Sequence, residues 1–267
     1  MPVTCFSSQP ATGGDTTQII GGNRIHTFTT IGSQSFVVNA PVTSQVLIVA
    51  GGGGSNYGGG GAGGLVYYAS QRLAPGTYTV TVGAGGAAGG TNNGSPSSMT
   101  SLTTAVGGGG GSSYVTLAGS GGSGGGGDNP GEFGAGTPGQ GYPGGSGQEG
   151  VYGGGGGAGG TGSNSAAPTG GNGGPGVQYS ISGTPTYYGA GGGGYGTPSG
   201  SPGTGGPSAY GSGGTSTNAG VQGIVIISYP YPATTGFSGI PYTGSLRNVS
   251  YSVTQNARGV NMYSSGR

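Results

Sequence analysis

The chain has 267 residues, of which 77 are glycine and only 3% are charged. Its basic residues are all arginine and its formal net charge is +1, so it lacks the basic face of a nucleic-acid-binding protein and the basic amphipathic stretch of a membrane-surface protein. Cys5 is the single cysteine, which excludes an intrachain disulfide framework.

The first 82 residues predict a small β structure behind an N-terminal arm at residues 1–16. Alternation and turn residues indicate strands at 18–20, 24–31 and 34–38. The β-branched run at 45–50 is typical of a strand buried on both faces.

A further strand pair is predicted at 64–72 and 76–82, because the Leu73-Ala74-Pro75-Gly76 segment suits a type II turn. From residue 83 to about 220, glycine runs alternate with short inserts and show no helical apolar period. Almost no α-helix is expected, since each interior glycine costs about 1 kcal/mol relative to alanine.

The second strongly apolar run, at 224–227, returns the chain to a strand that ends at Pro230. We predict that residues 46–49 and 224–227 lie in one β core and join the two ends of the glycine region. The predicted glycine-rich domain is 17–232, with its β part at 17–82 and 221–230 and its polyglycine part at 83–220. A polar tail follows at 233–267 and is interpreted as an assembly segment.

Dense glycine without a strict Gly-X-Y period excludes a collagen triple helix. It favours a bundle of extended polyglycine II helices, in which neighbouring backbones bond to each other because no Cβ atom separates them. Such a bundle needs clamping at its edges. The expected fold class is therefore all-β or irregular: a small β-sheet clamp plus a polyglycine II bundle.

The bracketing pattern resembles a known family. The chain is similar to the glycine-rich domain of phage tail fibres and of environmental phage structural proteins over residues 17–232. The segments that carry the resemblance are 25–28, 46–54, 58–67, 73–86 and 223–230. The polyglycine-rich middle is also similar to phage tail-tip adhesins, in which polyglycine II helices carry receptor-binding loops at one end.

The resemblance implies a virion location, host attachment and no catalysis. The implied partners are other virion proteins, further copies of the chain, and a glycan or outer-surface protein of the host. Two rival hypotheses are a purely structural virion protein, such as a fibre shaft or capsid decoration, and an ice-binding polyglycine bundle. The second needs a flat regular face, against which the irregular inserts argue.

No enzyme is predicted, and no catalytic, cofactor or metal site. Glycine this dense matches phosphate-binding motifs by chance, and a P-loop needs the lysine that this chain lacks. His26 is the one histidine and is expected to be a satisfied surface residue. A glycosidase-type pair drawn from Asp128, Glu132 and Glu149 is disfavoured, because nothing rigid is expected to hold it.

Residues 1–10 lack the charged and apolar regions of a Sec signal peptide, and the longest apolar run, 46–50, is too short to span a bilayer. We therefore expect the protein to reach the virion by assembly, without secretion or membrane insertion.

Tyrosines that flank glycine runs, among them Tyr67 and Tyr195, are expected mainly to cap the bundle edge with a wet hydroxyl. The inserts 128–133 and 178–188 are richest in charge or aromatic residues and are the expected contact loops. Near-zero net charge predicts contacts with little salt dependence. The candidate receptor contacts are Asp128, Glu132, Phe133, Tyr142, Tyr187 and Tyr188.

Overall fold

The computed structural model describes residues 9–231 and the backbone of 250–256 and 259–265. The chain divides into two compact units, 1–232 and 233–267. In the second unit, β12 (Ser250–Asn256) and β13 (Gly259–Ser265) form an antiparallel hairpin. No helix occurs in the described residues, which confirms the all-β expectation, and none of these residues forms a helix of membrane-spanning length.

Residues 9–231 of the first unit contain eleven strands. They are β1 (Ala11–Thr12), β2 (Thr16–Ile20), β3 (Asn23–Phe28), β4 (Gly32–Val38), β5 (Val42–Val49), β6 (Leu65–Leu73), β7 (Gly76–Val82), β8 (Ser98–Met99), β9 (Val177–Tyr179), β10 (Thr186–Tyr188) and β11 (Ile224–Pro230).

Two antiparallel sheets form a sandwich. Sheet A has the order β1-β4-β7-β8 and sheet B the order β2-β3-β11-β5-β6. Their inner faces enclose one apolar core, in which the Phe28 ring of sheet B meets the Phe36 ring of sheet A edge to face at 6.1 Å. Alternation along each strand supplies the rest of this core, as expected for packed sheets.

The predicted β core is confirmed. Strand β11 pairs with β5 so that Ile224 lies opposite Val49 and Ile227 opposite Val46. Both strands are buried on both faces, because the outer face of sheet B is covered by the β9–β10 hairpin, whose Ile181 and Tyr188 complete a second apolar cluster.

Three sequence-based predictions are corrected. Strands β6 and β7 exist but do not pair with each other: β6 pairs with β5 and β7 with β4, so residues 74–75 connect the two sheets. The part of the predicted N-terminal arm at 11–12 is strand β1 of sheet A, and β2 begins at residue 16. Extended glycine segments also begin before residue 83, at 50–54 and 58–64.

His26 is buried inside the sandwich, in contrast to the expected surface position. Its Nδ1 lies 2.7 Å from the Gly13 carbonyl oxygen and its Nε2 lies 3.1 Å from the Tyr229 hydroxyl. Burial lowers the pKa of His26, which keeps the ring neutral near pH 7. His26 is therefore a core residue of β3 that contacts the segment after β1 and strand β11.

The glycine segments form a bundle with a three-residue repeat. In segment 59–64, Gly59 and Ala62 donate to the carbonyls of Gly153 and Gly156 on one neighbour. Gly60 and Gly63 donate to a second neighbour, 211–214, and Gly61 and Gly64 to a third, 106–109. Residues three apart thus bond to the same neighbour, which is the repeat of polyglycine II.

Segment 59–64 is central to this bundle. Besides the three segments to which it donates, its carbonyls accept hydrogen bonds from 50–53, 123–126 and Gly192, so it is surrounded by six others. The first partner, 153–156, runs parallel to it, whereas 106–109 and 211–214 run antiparallel. Parallel and antiparallel neighbours are both accepted because the N–H and C=O groups of such a helix point outward in all directions.

The glycine segments can lie close enough for these backbone hydrogen bonds because glycine has no side chain. A Cβ atom added at Gly60 would meet the Gly53 carbonyl oxygen closer than real Cβ atoms approach any backbone atom, and the same holds at most glycines of the central segments. Ala62 shows that a methyl group is accommodated at some positions, and it is fully buried.

We expect Ile226→Asp to unfold the first unit, because it buries an unpaired carboxylate at the centre of sheet B and should cost more than about 4 kcal/mol. The control is Ile19→Asp in edge strand β2, where the side chain is exposed. Thermal melting should show loss of the transition for Ile226→Asp and little change for Ile19→Asp. An unchanged melting temperature for Ile226→Asp would contradict the placement of β11.

Gly60→Ala should also be strongly destabilising, because the new methyl group would have to displace backbone that is held by hydrogen bonds on several sides. Gly90→Ala is the matched control: Gly90 has a negative φ, and its nearest obstacle is the side-chain amide of Asn92 at 3.1 Å. Denaturant unfolding of the two variants should differ by at least about 2 kcal/mol. Equal stabilities would rule out close backbone packing at Gly60.

Candidate binding site at the distal end of the glycine bundle

The β sandwich lies at one end of the bundle, and a set of turns lies at the other. Segment 50–54 leaves β5 and segment 58–64 returns to β6, so residues 55–57 turn at the end remote from the sheets. The hydrogen bonds that align the other glycine segments with these two place further turns at the same distal end. These distal loops are 55–57, 88–90, 112–118, 128–132, 148–151, 166–169, 195–199 and 215–217.

Backbone hydrogen bonds hold three tyrosines at this end. The Tyr195 N–H donates to the Tyr57 carbonyl at 2.8 Å, and the Tyr152 N–H donates to the Tyr195 carbonyl at 2.9 Å. Each of the three lies where a glycine segment meets a turn, so the packing of the helices fixes the position of the rings.

The three rings and Tyr114 form one aromatic cluster, called here the distal tyrosine cluster. The Tyr57 ring stacks on Tyr152 with centroids 5.1 Å apart and meets Tyr114 edge to face at 4.9 Å. Tyr195 packs against Tyr57 at 5.6 Å. Tyr152 is fully buried at the base of the cluster, whereas Tyr114 and Tyr195 are exposed.

Loop 112–118 carries the most exposed apolar side chains of the described residues. Val115 is 90% exposed, Leu117 74% and Tyr114 65%. The adjacent loop is tied to it, because the Ala118 N–H donates to Glu132 Oε1 at 2.7 Å. Apolar groups exposed together on a rigid end are a feature of interaction surfaces.

Asp128 and Glu132 form a hydrogen-bonded pair of carboxyl groups beside the cluster. Burial and the neighbouring Glu132 carboxylate raise the pKa of Asp128 to about 6. Burial also acts to raise the pKa of Glu132, but hydrogen bonds from the Asp128 carboxyl and the Ala118 amide outweigh it and lower that pKa. As the pH falls below about 6, the pair therefore takes up its first proton on Asp128.

The sequence-predicted contacts divide between the two ends of the bundle. Asp128 and Glu132 lie in a distal loop, with the exposed Phe133 directly after it. Tyr142 is exposed and lines a half-open cavity of about 610 Å³ together with Tyr67 and Tyr179, on the sandwich side.

Tyr187 and Tyr188 lie in strand β10, also at the sandwich end. Tyr187 is exposed, but Tyr188 is 1% exposed and packs beneath sheet B. Tyr188 is therefore a core residue, and its selection as a receptor contact is corrected. Its burial follows from strand alternation in the hairpin, which points neighbouring side chains to opposite faces.

The sequence interpretation missed the distal tyrosine cluster and the exposed loop 112–118. A signal was present, because Tyr57 and Tyr152 each directly precede a glycine run and Tyr195 directly follows one. In the described residues no group of three or more His, Cys, Asp or Glu side chains is placed to hold a metal ion.

Comparison with protein families gives one match. The model of a glycine-rich domain family matches residues 28–230. The chain belongs to this glycine-rich domain family. The match begins at the end of β3 and ends with β11, so the glycine-rich domain includes the paired strands β5 and β11 of sheet B together with every distal loop. No curated protein matched the chain.

The raised pKa of Asp128 predicts how the stability of the fold depends on pH. A group whose pKa is higher in the folded than in the unfolded chain stabilises the fold below the unfolded value, here about 4. That stability is lost as the pH rises through about 6. Asp128→Asn keeps a donor toward Glu132 and should raise the melting temperature by up to a few degrees at pH 7.5 and not at pH 4.

The control is Glu149→Gln, which removes a carboxylate from the exposed loop 148–151. Melting curves of both variants and the parent between pH 4 and pH 8 make the comparison. A Tm difference for Asp128→Asn that is the same at every pH would contradict the coupling of Asp128 to Glu132.

Proposed function

We propose that the glycine-rich domain is a structural protein of a phage virion, in a tail fibre or tail tip, and that its distal loops attach the particle to the host. Its proposed partners are other virion proteins, further copies of the chain, and a glycan or outer-surface protein of the host. The protein acts by binding, and no catalytic role is proposed.

The observation that carries the proposal is the concentration of exposed side chains on one rigid end. A bundle whose backbones bond on all sides resists bending, and loops on a rigid scaffold lose little entropy when they bind. The sandwich at the other end buries most of its apolar residues in two clusters. The apolar side chains that it does expose, such as Ile19 and Ile31, are less exposed than Val115 and Leu117.

The distal tyrosine cluster supports recognition at this end. Tyrosine offers a large contact area at a low entropic cost, and clustered aromatic residues are typical of binding hot spots. The side chains of Val115 and Leu117 make few contacts within the domain, so the stability of the fold gives no reason for their exposure.

Host adsorption tests the proposal. Particles that carry Tyr114→Ser, Val115→Ser and Leu117→Ser together should adsorb at least about tenfold more slowly, because hot-spot side chains dominate binding energy. Particles with Tyr187→Ala, which alters an exposed tyrosine at the sandwich end, are the matched control.

Electron microscopy and protein content must first show that the variant particles assemble normally. Undiminished adsorption by such particles would refute attachment through the distal loops. It would favour a purely structural role, such as a fibre shaft or capsid decoration.

A further inference from the structure

The few charges of the first unit are separated along the bundle. Three of its four carboxylates, those of Asp128, Glu132 and Glu149, lie in the distal loops, and these loops contain no Arg, Lys or His. The basic residues Arg24 and Arg72 lie in strands β3 and β6 of the sandwich. A net charge near zero therefore conceals an acidic end.

The fourth carboxylate, that of Asp15, accepts more hydrogen bonds within the fold than any of the distal three. Asp15 accepts hydrogen bonds from the backbone and hydroxyl groups of Thr29 and Thr30 and from the Gln34 amide. By contrast, Glu149 is exposed and has no hydrogen-bond partner among the described residues.

A buried polar atom lies beside the carboxylate pair. Tyr152 is fully buried, and its hydroxyl has no hydrogen-bond partner within standard distance among the described residues. Burial, the Tyr114 hydroxyl and the Asp128 carboxylate together raise the pKa of Tyr152, so the hydroxyl lies near Tyr114 and Asp128. An unsatisfied buried hydroxyl is costly and is usually explained by a missing partner.

We infer that the distal loops bind a positively charged protein surface, on which a lysine or arginine side chain lies against the distal tyrosine cluster and pairs with the carboxylates of Asp128 and Glu132. The inference rests on the proposed role of the distal loops in attachment and specifies the chemistry of the partner.

The chemistry of the two groups of side chains carries the inference. The face of a tyrosine ring attracts a cation. Carboxylates beside the ring add charge-assisted hydrogen bonds to the same cation. The apolar side chains of Val115 and Leu117 suit the methylene stem of lysine or arginine, which packs on apolar surface while its charged end stays in contact with carboxylates. An anionic partner would be repelled here, and a neutral one would leave the negative charge of the pair uncompensated.

The charge separation alters the expected response to solution conditions. A whole chain of net charge +1 predicts little salt dependence, whereas a local acidic surface predicts weaker binding at high salt. Asp128 lies beside Glu132 and near the Tyr152 hydroxyl, and its pKa is about 6. Binding should therefore weaken between pH 7.5 and pH 5, as Asp128 gains its proton.

The probe is a short peptide of alternating glycine and lysine, compared with one in which glutamine replaces each lysine. Titration of the full chain with labelled tyrosine rings, followed by nuclear magnetic resonance at low salt and pH 7.5, locates the contact. The lysine peptide should shift the ring signals of Tyr57, Tyr114 and Tyr195 and leave Tyr187 unchanged, and the glutamine peptide should shift none.

Two variants test the two parts of the surface. Asp128→Asn with Glu132→Gln removes charge but keeps the oxygen that accepts from Ala118, and Tyr114→Ala removes an exposed ring. Each should weaken peptide binding by at least about threefold, given the strength of exposed ion pairs and cation–π contacts. Arg72→Gln is the control for overall charge, since it lowers the net charge by one unit at the sandwich end, where Arg72 is exposed, whereas the carboxylate variant raises it by two.

The inference stands if the lysine peptide alone binds and both distal variants weaken its binding. The inference is overturned if the glutamine peptide binds as well, if neither distal variant weakens binding, or if Arg72→Gln strengthens it as much as the carboxylate variant weakens it. The last result would show attraction by overall charge alone.

The proposed function fails separately. If adsorption by the triple-serine particles is normal while the peptide still binds the distal rings, attachment is refuted and the cation-binding surface stands. If adsorption falls and the peptide does not bind, attachment stands and the cationic partner is refuted.

Discussion

The fold depends on hydrogen bonds between extended backbones that no Cβ atom holds apart. Each residue of segment 59–64 donates to one of three neighbours, and further segments donate back to its carbonyls. Ordering glycine costs more conformational entropy than ordering any other residue. A bundle of this kind is stable only when many such bonds form together, and the sandwich supplies the apolar burial that the glycine segments themselves lack.

The types of secondary structure and one long-range strand pairing could be predicted from the sequence. Residues 46–49 and 224–227 were the two strongest β-branched runs, so their pairing followed from elimination. The pairing of β6 and β7 was predicted wrongly because a favourable turn segment, 73–76, was read as a hairpin. In the structure that segment instead changes sheets, a choice made by packing between β5 and β6 that the local sequence does not encode.

The candidate site was predictable only in part for a related reason. Glycine runs are interchangeable in sequence, so nothing indicates which run lies beside which, or which turns meet at one end. Asp128 and Glu132 were found because charge is rare in this chain, whereas Tyr114 and Tyr152 gain significance only when their segments are brought together. Tyr188 illustrates the opposite error, since an aromatic residue in an insert was taken for a surface residue and lies in the core.

The position of β11 at the centre of sheet B governs how the chain must reach its native state. Its partners β3 and β5 are synthesised nearly the whole domain earlier, and the sheet keeps two unpaired inner edges until residues 224–230 arrive. Non-local pairing of this kind slows folding, and open strand edges invite association with other chains during the delay. The most apolar strands of a nascent chain of this protein therefore stay uncovered until β11 is synthesised and completes the sheet.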